Sequence, residues 1–246
     1  MIAEREHEST RIEAFSDAMF AFAATLLVVS LEVPHNFDDL LNNQRGFAPF
    51  ALSFAALYFI WIAHTNVFRR YQLGDLFTLI VNGVMLFTVL FYVYPLKFTA
   101  TAIVGMFTKR MEVTMLPSQT PTLFVIYGIG WCLVFLCVSL LYRHAYTIRE
   151  KLGLTPLQAY DAVTHSRYYV CFVIAGLLSI LVALLGIGTR FSLPGFMYAT
   201  VGIFAALNGK ARRKGREALA ETVAEHPQLA NTSAISTEMI RQALKQ

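Results

Sequence analysis

"RIEAFSDAMFAFAATLLVVSLEVP", residues 11–34, is the stretch on which the reading of the chain turns. From Ala18 to Leu31 it carries no charge, yet Arg11, Glu13 and Asp17 precede that core and Glu32 follows it. So apolar a run predicts a helix inside a bilayer, flanked by acidic groups that a membrane disfavours. An ionised Asp costs roughly 2.5 to 3.5 kcal/mol at the centre of a membrane helix on insertion scales, so even near a helix end it is expected to find a partner in the bundle. Side-chain directions follow from a turn of 100° per residue. With Phe22 as zero, Ala18, Phe22, Thr25, Leu26 and Val29 cluster within about 60°, whereas Asp17 lies about 140° to one side and Ser16 about 120° to the other. The polar entrance and the apolar stripe therefore face different neighbours.

The rest of the chain has the same character. Of its 246 residues 56% are hydrophobic and only 15% charged, with a mean hydropathy of +0.53, outside the range of soluble domains. A spanning helix needs roughly 20 mostly apolar residues. Such runs fall at 46–68, 76–96, 113–142, 168–189 and 191–209, which with 14–33 predicts an all-α, polytopic membrane protein of six transmembrane helices. Residues 1–209 then form the membrane domain and 210–246 a cytoplasmic tail. The opening "MIAEREHEST" mixes both signs of charge and does not read as a signal peptide. Residues 97–120 either extend the third helix or lie at the interface.

Lys and Arg alone set the orientation. Arg5 and Arg11, Arg69 and Arg70, the four basic residues from Arg143 to Arg167, and the tail from Lys210 onward place fifteen of the 20 basic residues on one side. Arg45, Lys97, Lys109, Arg110 and Arg190 make up the other. Both termini are thus expected in the cytoplasm. A net charge of +4 requires no nucleic-acid partner. The basic start of the tail, "NGKARRKGREALAETVAEHPQ", is expected to meet anionic headgroups, with the rest a solvated helix. Cys132, Cys137 and Cys171 all fall inside spans and read as packing residues. Phosphate loop, metal-binding run and nucleophile elbow are all missing from the sequence, so neither an enzyme nor a cofactor is expected.

Partners for the first helix stand in "FIWIAHTNVFRRYQLGDLFTLIVNG". Trp61, His64 and Phe68 recur at helical spacing on the second helix, and Asp75 and Asn82, seven apart, share a face of the third. A neutral imidazole or an indole N–H can hydrogen-bond Asp17 and Ser16. Taken singly, each is better read as an ordinary satisfied intramembrane hydrogen bond than as transport chemistry; together these residues look like a fixed polar clamp.

Arg11, Phe15, Ser16 and Asp17 spell R-x-x-x-F-S-D at the start of a first transmembrane helix, and Trp61, His64, Phe68, Asp75 and Asn82 follow at set spacing. In these residues the chain resembles the transmembrane protein 175 family, the endosomal and lysosomal potassium channels and their prokaryotic relatives. The resemblance covers residues 11–82; the later spans add only topology. It implies a potassium-preferring cation channel whose pore is lined by the first helix of each subunit, without the usual potassium-channel filter; no TVGYG occurs here. It further implies that a single six-helix repeat, as in this chain, assembles as a homotetramer in a prokaryotic plasma membrane, in contact with lipid. By the same resemblance Arg11, Phe15, Ser16, Asp17, Trp61, His64, Asp75 and Asn82 form a structural and gating clamp, and Phe22, Thr25, Leu26 and Val29 form the constriction. Phe22 departs from the Ile or Leu usual at the first constriction position. Arg11 sits about 20° from Phe22, so it is expected to be paired, because four unpaired arginines would repel cations. Glu32 at the far mouth would raise the local cation concentration. Two other classes remain open: a proton-coupled secondary transporter using Asp17 and His64, against which the chain lacks the repeated broken helices of transporter folds, and a non-conducting scaffold.

Overall fold

A computed structural model of the chain describes residues 2–30, 35–37, 46–108, 116–187, 193–225, 240 and 242–244. Glu32, and the tail beyond Glu225 apart from residues 240 and 242–244, lie outside the described residues. The regular structure among the described residues is helical: α1 (Ile2–Val29), α2 (Phe47–Tyr71), α3 (Leu76–Thr108), α4 (Thr120–Thr147), the short α5 (Arg149–Leu152), α6 (Pro156–Leu184), the short α7 (Leu193–Phe196) and α8 (Thr200–Glu225). Five of these helices contain stretches long and apolar enough to cross a membrane: Glu8–Val29, Phe47–Tyr71, Leu76–Gly105, Thr120–Thr147 and Pro156–Leu184. The sixth apolar run is built from α7, a 3-10 turn at Met197–Ala199 and the start of α8 rather than from one unbroken α-helix. The protein is an all-α, polytopic membrane protein.

Local chemistry explains the element ends. Helix α2 stops at Tyr71 because Gln72 turns into the left-handed region (φ 46°), with its N–H donating to the Phe68 carbonyl. Thr155 caps α6 by accepting from the Gln158 N–H, and the Gln158 side chain accepts from the Thr155 N–H, a reciprocal capping box with Pro156 at the first helical position. The question left open for residues 97–120 is answered in part: α3 runs on through Pro95 to Thr108.

Helix α4 pairs most extensively with α6, and the two approach closely because glycines sit at the crossing. A Cβ on Gly176 would lie 2.6 Å from the Cys132 Sγ and 2.9 Å from the Trp131 Cδ1; one on Gly128 would lie 2.5 Å from the Ile180 Cγ1. Around that crossing Trp131, Phe135, Tyr169 and Phe172 stack on one another. Helix α1 stands outside this pair and packs mainly on α2 and α3. It buries Ile12, Ser16, Phe20, Ala23 and Leu27, at i+3 and i+4 steps.

The tail differs from the expected solvated helix. Helix α8 extends without a break to Glu225 and lies against α6. Ala159, Tyr160, Leu219, Ile240 and Ala243 form a second, small apolar cluster there. Apolar residues spaced along the tail's charged sequence account for the docking.

Candidate functional site: a clamped first helix with one uncovered face

Two hydrogen-bonded chains hold the middle of α1 to its neighbours. In one, the Trp61 indole N–H of α2 donates to the Asp17 Oδ1 at 2.7 Å. In the other, the His64 Nε2–H donates to the Asn82 Oδ1 at 2.9 Å, the Asn82 amide donates to the Ser16 Oγ at 2.9 Å, and Ser16 donates to the Ile12 carbonyl at 2.8 Å. Ser16, His64 and Asn82 are all buried. The Asn82 carbonyl can only accept, so the His64 Nε2 carries a proton. Its ring lies between Phe20 and Phe68, with centroid distances of 5.6 and 4.5 Å, and Nδ1 finds no hydrogen-bond partner among the described residues. A polar group buried in a bilayer without a partner costs several kcal/mol, so this relay through Asn82 strongly restricts the rotation of α1. Asp17 and His64 are not bonded to each other; each has a different partner.

Asp75 does not join that network. It precedes α3, where its Oδ1 accepts from the Thr78 hydroxyl at 2.5 Å and its Oδ2 from the His144 Nε2 of α4 at 2.7 Å. Burial alone would raise its pKa; the bonds from Thr78 and His144 outweigh that and hold the carboxyl below the usual carboxylate range. Arg11 and Phe15 are exposed on α1. Arg11 makes no ion pair with another described residue, so the described residues do not supply the partner expected for it.

Two participants escaped the sequence reading. His144 ends an apolar run, and only its meeting with Asp75, 69 residues earlier, gives it a partner. Lys97, counted there only as a topology charge, donates through Nζ to the Ser30 carbonyl at 2.6 Å and the Ser30 Oγ at 2.7 Å. It thereby places a cation on the C-terminal carbonyls of α1, where the helix dipole favours one. Its signal was a lone ammonium two residues after Pro95 in an apolar helix.

The other face of α1 is bare. Phe22 is 54% and Val29 71% exposed, and Thr25, Ala14, Ala18 and Ala21 join them on the same side. Leu26 is half-buried and leans on the core formed with α2 and α3. The Thr25 hydroxyl donates to the Ala21 carbonyl at 2.9 Å, so what it turns outward is oxygen lone pairs.

Fold and site together define a class: a helical membrane protein whose first helix is pinned along one face by buried polar bonds and left uncovered along the other. The chain belongs to the family described as the endosomal/lysosomal potassium channel TMEM175, whose model matches residues 11–92, the segment that holds the clamp and the bare face. Its membership rests also on a potassium channel of Marivirga tractuosa, 35% identical over 206 residues, covering 79% of this chain and 83% of that one. A potassium channel of Chamaesiphon minutus is 34% identical over 101 residues, 38% of this chain and 50% of that one. A crystal structure of a potassium channel variant of this family, bound to a nanobody fusion, superposes with a TM-score of 0.73 at 33% identity, over 83% of this chain and 93% of that one. A homologue structure from Chamaesiphon minutus, described as a lysosomal potassium-selective channel homologue, shares the fold at 24% identity with a TM-score of 0.51, over 79% of this chain and 98% of that one. The family is one of ion channels, not of enzymes.

Proposed function

We propose that the protein is a potassium-preferring cation channel in which four subunits present the bare face of α1 to a shared axial pathway. The observation that carries this reading is the division of one helix into a pinned face, with Ser16 buried and Asp17 bonded to Trp61, and an uncovered face bearing Phe22, Thr25 and Val29. The relatives named as potassium channels support it. Phe22, Leu26 and Val29 span about 10 Å along the axis at roughly 1.5 Å per residue. Four copies of each form stacked apolar rings that offer an ion no oxygen in place of its hydration shell, and such a sleeve closes by dewetting. The outward lone pairs of Thr25 stand between these rings and suit the more easily dehydrated potassium ion over sodium. Leu26, half-buried against α2 and α3, adds its exposed side to the sleeve.

The test is ion flux from purified protein in liposomes under a potassium gradient with no other substrate. Rapid flux that does not saturate, with a reversal potential favouring potassium over sodium, is the expected result. Slow, proton-coupled exchange would instead make Asp17 and His64 transport residues, and an absence of flux would leave a scaffold.

A further inference from the structure

Where the ends of α2 and α6 meet α8, the fold forms a half-open cavity of about 450 Å³ lined by the exposed Arg70 and Arg167 and the half-buried Arg212, and no carboxylate is among the described residues that line it. Asp161, the acidic group of that end of α6, is already held by Arg216 at 3.3 Å. Arg212 is aimed: its Nη1 donates to the His165 Nε2 at 2.9 Å, while the His165 Nδ1–H donates to the Asp161 carbonyl at 2.6 Å. The imidazole is therefore neutral and acts as a support. The guanidinium groups of Arg70 and Arg167 have no hydrogen bond or ion pair with another described residue.

We propose that this cavity binds a phosphate-bearing anion. Three arginines on the wall of one cavity give it a positive charge that favours an anion, and the guanidinium fork matches phosphate oxygens in pairs. Asn66, on the cavity wall, adds an amide without a partner among the described residues. The volume exceeds that of a bare phosphate and fits the small organic group to which it is esterified. That phosphate belongs either to a phospholipid headgroup or to a soluble phosphomonoester, since both carry the same recognised group. Asn66 and Arg70 follow His64 on α2, and Arg212 belongs to the tail, so the occupant bridges the helix that clamps α1 and the docked tail.

The proposal goes beyond channel activity and its test does not use conduction. The delipidated full chain in detergent is titrated in native mass spectrometry with phosphatidylglycerol, with phosphatidylcholine and with glycerol 3-phosphate. Circular dichroism is expected to be the same for all variants, since Arg70 and Arg167 bond to no other described residue. Binding of phosphatidylglycerol in preference to phosphatidylcholine assigns the lipid source, and binding of glycerol 3-phosphate the soluble one. In either case Arg70→Gln and Arg167→Gln are each expected to weaken binding about tenfold, and Arg213→Gln, on the same tail helix but outside the cavity, to leave it unchanged. The proposal is overturned if neither probe binds beyond the phosphatidylcholine level, if Arg70→Gln and Arg167→Gln bind as the parent does, or if Arg213→Gln weakens binding equally, which would mark a diffuse attraction to the basic tail.

Discussion

Ser16 and Asp17 are adjacent, yet they are held by different helices, Asp17 by Trp61 of α2 and Ser16 by Asn82 of α3. Trp61→Phe removes the hydrogen bond to Asp17, and Asp17→Asn keeps an acceptor oxygen while removing the carboxylate, losses of up to roughly 1.5 to 3 kcal/mol. Both variants are expected to lower the melting temperature in detergent and to change the open fraction, while the potassium-to-sodium permeability ratio stays near that of the parent. A large change in that ratio with assembly intact would place Asp17 in the ion path. On the opposite face, Phe22→Ala is expected to raise conductance and lower selectivity by widening and wetting the sleeve, and Thr25→Val to lower selectivity with less effect on assembly. Single-channel currents and reversal potentials in mixed potassium and sodium check both; a fall in thermal stability alone would make α1 a packing helix. Asp75 makes a pH prediction. Its folded-state pKa lies below the ordinary 3.8, so its contribution to stability is complete above that value and is lost as pH falls further, through the depressed pKa. Asp75→Asn should therefore be less stable than the parent at neutral pH, and the gap should close in acid titrations followed by near-ultraviolet circular dichroism.

Among the elements, α4 and α6 form the most extensively packed pair and α1 the outlying helix. That packing depends on glycine at the crossing, because a methyl on Gly176 would come within 2.6 Å of the Cys132 sulfur and 2.9 Å of the Trp131 ring. Gly176→Ala forces the helices apart or the ring out of its stack, at a cost of about 1 to 3 kcal/mol. A drop of several degrees in melting temperature is expected, with ion preference unaltered because α1 does not rest on that crossing. An unchanged melting temperature would mean that α6 shifts freely along α4. Helix α1 is tied at its middle by Ser16 and Asp17 and at its C-terminal end by Lys97 on Ser30, ties that oppose rotation about its own axis.

For the whole molecule, one chain presents one copy of the bare face, and an apolar face bearing a phenylalanine 54% exposed is covered by lipid or by other subunits. Cross-linking in mild detergent is expected to stop at four subunits, and a tag after Gln246 to be cut by protease only from the cytoplasmic side. A monomer, or a tag cut from outside, contradicts the proposed assembly and the charge-based orientation. The sequence by itself determined the helical membrane class, the runs of apolar residues, and the separation of Asp17 and Ser16 from the Phe22 stripe, because hydropathy and a 3.6-residue period are local properties of consecutive residues. Ser16, Asp17, Trp61, His64 and Asn82 were legible as polar residues on three helices. The clamp's wiring was not: that His64 reaches Ser16 through Asn82, that Asp75 turns away to His144, that Lys97 holds Ser30, and that the basic tail docks on α6 depend on how helices rotate and slide against one another. Those degrees of freedom are set by packing between residues 18 to 69 positions apart, such as the glycine crossing of α4 and α6, and only the tertiary structure decides them.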